Sequence, residues 1–307
     1  MSLLHKTVLG LMPAVPRPLV RRLAGRYIAG ETLDDLIRVA VDLHRQGYLT
    51  TVDVLGENST TEEAAASARD EYIRAVERLS EAGLASQVSV KLTLLGLRLR
   101  EDLARDLLET IVIHGESRGI SVCIDMEDSS TTDAILRIFR AMRREHATVS
   151  VAIQAYLKRS RADVESLLPL EPAIRVCKGI YSEPPEIAYQ DRSSIRRSYI
   201  SLVKLLFEGG GFPAMATHDP QLLASCLRLA RDLGKGPREY EVQMLLGVGE
   251  RLRPRVLATG APLRLYCPYG PDWYAYSVRR LKENPRMVGY ILKGVLSGSP
   301  FRRGHMA

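Results

Sequence analysis

Short runs of β-branched and aliphatic residues recur along the chain, and longer stretches with helical periodicity separate them. The runs are hydrophobic almost throughout, which is typical of parallel strands covered by helices. Strands are predicted at Leu49–Val54, Val88–Leu92, Ser121–Asp125, Ser150–Gln154, Ile174–Lys178, Ala214–Thr217, Glu239–Gln243 and Leu263–Tyr266. Amphipathic helices are predicted at Thr61–Ala82, Leu99–Arg118, Thr131–His146, Ser194–Phe207 and Gln221–Leu233.

This alternation predicts an α/β fold of the (βα)8, TIM-barrel type. Two leading helices, Arg17–Ile28 and Leu33–Gln46, are expected to pack outside or beneath the barrel. Residues 1–48 are therefore predicted to be an N-terminal helical extension, and residues 49–307 the barrel. No Gly-x-Gly-x-x-Gly follows the first strand, which disfavours a Rossmann fold. Helix starts are predicted at Thr60 or Thr61 and at Ser130, and helix ends at Gly83, Gly119 and Gly234.

The chain is basic, with 43 Lys and Arg residues against 36 Asp and Glu residues, a net charge of +7. The basic residues are scattered and only 6% of residues are aromatic, so nucleic-acid binding is not expected. Four cysteines without a Cys-x-x-Cys spacing predict no disulfide framework and no metal site, and they fit a reducing compartment.

The N-terminal segment, interrupted by Pro13, Pro16 and Pro18, lacks the pattern of a signal peptide. No stretch of the sequence contains about 18 consecutive apolar residues, the length that a membrane-spanning helix needs. We expect a cytoplasmic protein with peripheral contact to the inner face of the cell membrane, which its positive charge favours.

Polar residues stand at or next to the C-terminal end of each predicted strand. These ends meet at one mouth of a parallel barrel, where active sites lie, so the pattern predicts an enzyme. Lysines at two of these ends also fit a Schiff-base lyase or aldolase, in which a desolvated lysine attacks a carbonyl group; these are Lys91 and Lys178. The strand-end residues are Asp53, Lys91, Asp125, Gln154, Lys178, Thr217–His218, Gln243 and Tyr266.

A further helix is predicted after the last strand, between Asp272 and Pro285. Helical spacing brings Arg279 and Arg280 next to Tyr276 and Glu283. Two arginines on one face form a fork for a carboxylate or a phosphate. An ordinary surface helix with an Arg279–Glu283 ion pair explains the same spacing.

These residues carry a family resemblance: the chain resembles the proline dehydrogenases of the bacterial monofunctional type, flavin-dependent enzymes that open proline catabolism. The similarity runs from about Thr51 to Pro285, with one motif per strand in the order of the family. Ile180 and Cys267 depart from it, where the family usually has alanine and valine. The matching motifs are Asp53-Val-Leu-Gly-Glu57, Val90-Lys-Leu-Thr-Leu-Leu-Gly96, Asp125-Met-Glu127, Ile153-Gln-Ala-Tyr-Leu157, Lys178-Gly-Ile-Tyr181, Ala216-Thr-His218, Glu241-Val-Gln-Met-Leu245, Tyr266-Cys-Pro-Tyr-Gly270 and Arg279-Arg-Leu-Lys-Glu283.

The resemblance implies a distorted (βα)8 barrel that holds FAD at the C-terminal ends of its strands. Gln154 can bond the isoalloxazine edge, and Gly179 permits a close approach of the backbone. Arg175 places a positive charge near the flavin ring. The implied flavin contacts are Met126, Gln154, Arg175, Lys178, Gly179, Ile180, Thr217 and His218.

The resemblance also implies the substrate and the reaction. L-proline is oxidised to Δ1-pyrroline-5-carboxylate by hydride transfer from its C5 to N5 of FAD, and a quinone then takes the electrons. Asp125 and Arg175 are the catalytic candidates, and Glu283 fixes the arginine pair. The implied substrate-binding residues are Lys91, Tyr181, Tyr266, Arg279, Arg280 and Glu283. The sequence does not predict an oligomeric state.

Overall fold

Eight parallel strands close into a barrel in the computed structural model, which describes residues 25–274 and residue 276. Each strand pairs with its neighbours in chain order, and the first pairs with the last. The predicted α/β fold with a (βα)8 barrel is therefore confirmed. The strands are β1 Leu49–Val54, β2 Ser86–Val90, β3 Ser121–Ile124, β4 Val149–Gln154, β5 Ala173–Cys177, β6 Phe212–Ala216, β7 Glu241–Leu245 and β8 Leu263–Tyr269.

Helices separate the strands, and four of the eight described helices start at a residue whose side chain caps the helix. Thr61 caps its helix by accepting a hydrogen bond from the backbone N–H of Ala64. The predicted start at Ser130 is wrong, because Thr131 holds the N-cap position and the Ser130 hydroxyl bonds Asp128 instead. The helices within the described residues are α1 Leu33–Arg45, α2 Glu62–Glu81, α3 Glu101–Glu116, α4 Thr132–Glu145, α5 Ser160–Leu167, α6 Arg192–Glu208, α7 Pro220–Asp232 and α8 Arg253–Leu257.

The predicted bounds are right for β1, and those of the other seven strands are wrong by one to three residues at one or both ends; three of these differences have local reasons. β2 ends at Val90, because a turn begins at Lys91. β7 begins only at Glu241, since the Glu239 carboxylate accepts the Gly236 N–H in the preceding turn. β8 continues to Tyr269 because its extra residues stay in register with β1.

The segment before α1 is attached to the C-terminal end of β8. The Ala29 N–H donates to the Pro268 carbonyl at 2.8 Å, and Gly30 bridges to Tyr269. Helix α1 then packs outside the barrel against β1 and β8, as predicted for Leu33–Gln46. The other leading helix, Arg17–Ile28, lies mostly outside the described residues, and its described end is a turn.

The strands separate an apolar layer from a polar interior. On β2, Val88 and Val90 belong to the hydrophobic core between strands and helices. Gln87 and Ser89 alternate with them and bond Arg175 of β5 across the barrel. The polar side chains of β2 therefore point into the interior of the barrel. Among the described residues, no helix has the length and apolar character needed to cross a membrane.

Candidate active site

A cavity of about 1130 Å³ opens at the C-terminal ends of the strands, and residues on or directly after each of the eight strands line its wall. Pockets for small molecules usually enclose about 300–1,000 Å³, so this cavity has room for a large cofactor beside a small substrate. Each polar strand-end residue singled out in the sequence lines it.

The bottom of the cavity holds five polar side chains from five strands, which we call the floor cluster: Asp53, Lys91, Asp125, Arg175 and Tyr266. Lys91 pairs with Asp53, and its Nζ lies 3.8 Å from Asp125 Oδ2. Asp125 accepts hydrogen bonds from Arg175 Nη1 at 2.5 Å and from the Tyr266 hydroxyl at 2.8 Å. Because these groups sit on neighbouring and opposite strands, the barrel itself fixes their spacing.

All three nitrogens of the Arg175 guanidinium donate hydrogen bonds to neighbouring side chains. Its Nε donates to Gln243 Oε1 at 2.7 Å, its Nη1 to Ser89 Oγ at 2.8 Å and its Nη2 to Gln87 Oε1 at 3.1 Å. The guanidinium also lies 5.3 Å from the centre of the Tyr266 ring, within cation–π range. A buried cation held this way keeps one orientation, which suits it to stabilise negative charge above it.

The pKa values at the floor follow from burial and from the close charges. Burial lowers the pKa of Lys91, but the carboxylates of Asp53 and Asp125 outweigh it and raise the pKa above its ordinary value. Burial, reinforced by the charge of Asp125, raises the pKa of Tyr266 well above its usual range. Lys91 is therefore an ammonium and Tyr266 a phenol at neutral pH.

A second group of charges, which we call the rim cluster, consists of Lys178, Arg196 and Asp219 at another part of the cavity wall. Asp219 Oδ2 accepts from Lys178 Nζ at 2.7 Å and from Arg196 Nε at 2.8 Å. Asp219 also caps α7. Burial opposes its ionisation, but its bonds to the two cations lower the pKa of Asp219 to about 2.

The other residues that the resemblance assigns to the flavin also line the cavity. Gln154 Nε2 donates to the Glu127 carbonyl at 2.8 Å, while its Oε1 accepts from the Ile180 N–H at 3.4 Å. The Leu245 N–H donates to His218 Nε2 at 2.8 Å, so that nitrogen carries no proton. This bond sets the tautomer of a neutral His218 ring, with the proton on Nδ1.

Gly179 cannot be replaced by a residue with a side chain. Its φ is +107°, and an added Cβ would lie 2.1 Å from a ring carbon of Tyr156. The backbone of the loop after β5 therefore rests directly on Tyr156. This contact fixes the path of the Lys178-Gly179-Ile180-Tyr181 motif along the cavity.

The structure brings most of the predicted site residues together, while Arg279, Arg280 and Glu283 lie outside the described residues. The sequence reasoning gave no role to Arg196 or Asp219. Asp219 precedes Pro220, a helix-start signal that could have drawn attention to it. The residues placed around the cavity are Lys91, Asp125, Met126, Gln154, Arg175, Lys178, Gly179, Ile180, Tyr181, Thr217, His218 and Tyr266.

One group outside the cavity has the residue types of a metal site. Glu109, Glu145 and His146 place possible ligand atoms within 4.8 Å of one another. His146 Nδ1 already bonds Glu116 at 2.8 Å, and exposed acidic groups of this kind are common without an ion. We assign no metal to it.

A family profile and curated relatives match most of the chain. The sequence profile of the family described as proline dehydrogenase matches residues 36–291. The chain is 34% identical over 273 residues to "Proline dehydrogenase 1" of Bacillus subtilis, covering 89% of this chain and 90% of that protein. It is also 34% identical over 281 residues to "Proline dehydrogenase" of Deinococcus radiodurans, covering 90% of this chain and 91% of that protein.

A solved structure has the same fold. Proline utilization A from Bdellovibrio bacteriovorus, inactivated by N-propargylglycine, superposes with a TM-score of 0.80 at 26% identity. The match covers 91% of this chain but only 34% of that longer protein. With a family profile matched over most of its length and relatives matched nearly end to end, the chain belongs to the proline dehydrogenase family.

Proposed function

We propose that the cavity binds L-proline beside FAD and that the chain oxidises L-proline to Δ1-pyrroline-5-carboxylate, with a quinone as the final electron acceptor. Membership of the proline dehydrogenase family supports proline oxidation. The observation that carries the proposal is the floor cluster, in which Lys91 and Arg175 are held as cations beside Asp125. Such an arrangement can bind and orient the carboxylate of an amino acid.

The residues present fit a flavin. The cavity exceeds the usual size for a small substrate alone, and it combines an amide, a glycine and several cations along one wall. A bound FAD would supply the acceptor for the hydride that C5 of proline loses. The proposed contacts are Met126, Gln154, Arg175, Lys178, Gly179, Ile180, Thr217 and His218.

On the substrate side, Lys91 is proposed to bind the proline carboxylate together with Arg279 and Arg280. Tyr266 and Tyr181 are proposed to close over the ring, and Glu283 to pair with the arginines. Asp125 keeps Tyr266 and Arg175 in position through the two bonds it accepts. Holding the carboxylate at fixed points places C5 for reaction, and such orientation supplies much of a rate enhancement.

The Schiff-base alternative is not favoured. A lysine that attacks a carbonyl must be a neutral amine, usually through a lowered pKa. The pKa of Lys91 is instead raised by Asp53 and Asp125, which outweigh the effect of burial. Lys178 is bound to Asp219 at 2.7 Å.

Electron transfer to a membrane quinone brings the protein to a membrane surface, and the net charge of +7 would favour an anionic one. We therefore also propose that the protein is cytoplasmic and makes peripheral contact with the inner face of the cell membrane. Sedimentation with anionic vesicles at low salt, reversed by added salt, is the expected result. No sedimentation even at low salt would contradict it.

Turnover tests the proposed function directly. Purified protein is incubated with L-proline and a soluble quinone, and the cyclic imine product and the reduced quinone are measured together. We expect equal amounts of both, and no covalent adduct when borohydride is added with substrate. Quinone-independent chemistry, or a borohydride-trapped adduct on Lys91 or Lys178, would contradict the proposal.

A further inference from the structure

The two charged clusters of the cavity differ in their balance of charge. The floor cluster sets Lys91 and Arg175 against two carboxylates. The rim cluster sets two cations against the single carboxylate of Asp219. The rim therefore carries a surplus positive charge that faces the cavity.

The rim cations also have hydrogen-bonding capacity left. Lys178 donates one of its three N–H groups, to Asp219. Two of the five N–H groups of Arg196 donate hydrogen bonds, from Nε to Asp219 and from Nη1 to Gln221 Oε1 at 3.1 Å, and a third, on Nη2, is ion-paired with Asp219 Oδ2 at 2.7 Å. Among the described residues, the remaining four N–H groups have no acceptor, and about two fifths of each side chain is exposed, 39% for Lys178 and 37% for Arg196.

The cluster is pre-arranged rather than mobile. Asp219 is only 9% exposed and is fixed as the N-cap of α7, and Arg196 lies in the first turns of α6. A carboxylate fixed in this way holds both cations by one oxygen atom. An anion that binds them meets donors that are already in place, so little side-chain freedom is lost.

We propose that Arg196, together with Lys178, binds the diphosphate group of FAD. The inference rests on the proposed function, because it assumes that the cavity holds this cofactor. A diphosphate offers several acceptor oxygens with negative charge, which a planar guanidinium and a nearby ammonium both match. Arg196 belongs to none of the motifs that carry the family resemblance, so the structure gives it a role that the sequence did not.

The test uses the holoenzyme and a matched pair of variants. Arg197 follows Arg196 on the same helix, bonds Ser194 Oγ at 2.8 Å and does not line the cavity. Arg196→Gln and Arg197→Gln therefore change the net charge equally. The dissociation constant of FAD is measured by diluting each holoenzyme and recording the fluorescence of the released flavin, at low and at high salt.

We expect Arg196→Gln to raise the dissociation constant about 10- to 100-fold, as for the loss of a charged hydrogen bond. Its salt dependence should be weaker than that of the wild type. Arg197→Gln should stay within about twofold. Equal constants for Arg196→Gln and the wild type would overturn the inference, and so would equal losses in the two variants.

Folding and the proposed function are checked separately. Thermal unfolding with excess FAD shows whether Arg196→Gln is folded; should it not fold, Arg196→Lys replaces it. We expect Arg196→Lys to weaken FAD binding at least about threefold, because an ammonium cannot reproduce the planar fork, and an unchanged constant would overturn the inference. A wild-type protein that is folded and carries no flavin would remove the proposed function as well, whereas unchanged variants of a flavin-loaded wild type would remove only the inference.

Discussion

The floor and the rim of one cavity use the same residue types in opposite ways. At the floor, Asp53 and Arg175 are 1% and 7% exposed; Asp53 pairs with Lys91 just after the neighbouring strand, and Arg175 of β5 pairs with Asp125 just after β3. At the rim, Lys178 and Arg196 stand on a loop and a helix and remain more than a third exposed. The difference indicates that the floor satisfies its own charges, whereas the rim keeps donors accessible to a ligand.

The energies of the two regions should differ accordingly. Removing one partner of a buried ion pair costs about 3–5 kcal/mol, because it leaves a charge without compensation. Exposed pairs are worth about 0–1 kcal/mol, since water and salt screen them. Changes at the floor should therefore lower both stability and turnover, and changes at the rim should act mainly on binding.

The largest effect is expected for Arg175→Met. It leaves Asp125 short of its closest cation, takes the Arg175 donor away from Ser89 and Gln243, and leaves Gln87 Oε1 with Thr51 as its donor. We expect the free energy of unfolding, measured in urea, to fall by about 3–5 kcal/mol. Turnover should fall about 10²–10³-fold, as when a fixed electrostatic donor is lost.

Arg98→Met is the control, because the Arg98–Asp128 pair is exposed. Its loss should stay below about 1 kcal/mol. Equal losses of stability in the two variants would contradict the distinction between the buried pairs of the floor and exposed ion pairs.

A smaller effect is expected for Asp53→Asn, which removes the closest counter-ion of Lys91. Because Asp53 and Asp125 together outweigh burial and raise the pKa of Lys91, losing one of them lowers that pKa. The ammonium group of Lys91 then loses its proton at a lower pH. The fall of kcat/KM for L-proline on the alkaline limb should therefore begin at a lower pH. The limb is measured from pH 7 to pH 11; a limb that does not move would show that Asp53 leaves Lys91 unaffected.

The smallest effect is expected for the rim carboxylate. Asp219→Ala removes the N-cap of α7 and should cost about 1 kcal/mol, while Asp219→Asn keeps a capping side chain and should cost less. The lowered pKa of Asp219, about 2, means that its charge stabilises the fold above its unfolded pKa. That contribution shrinks as the pH falls from the unfolded pKa through about 2, so the gap in stability between wild type and Asp219→Asn should narrow from pH 5 to pH 2. A gap that is as large at pH 2 as at pH 5 would contradict the assignment.

The sequence predicts the floor better than the rim. Lys91, Asp125 and Tyr266 each end a hydrophobic run, and the ends of parallel strands must meet at one mouth of the barrel. Their convergence follows from topology, without knowledge of any side-chain conformation. Arg175, by contrast, is implied by the family resemblance and not by the strand pattern.

The rim depends on features that periodicity does not encode. Which turn of α6 faces the cavity depends on the path of the loop after β5, and Tyr156 beneath Gly179 fixes that path. The sequence pattern therefore does not predict that Arg196 faces the cavity. It also does not predict that Thr131, rather than Ser130, is the N-cap of α4. The sequence pattern does not predict the short helices α5 and α8, because a helix of about two turns or fewer shows too little periodicity.

The absorbance spectrum of the purified protein, recorded without oxygen before and after L-proline is added, tests the central claim most directly. A cavity that combines a flavin site with a floor built to orient proline should give a yellow protein whose flavin bands bleach on addition. Denaturation should release a fluorescent flavin nucleotide. A folded, colourless protein, or flavin bands that L-proline leaves unchanged, would contradict the account.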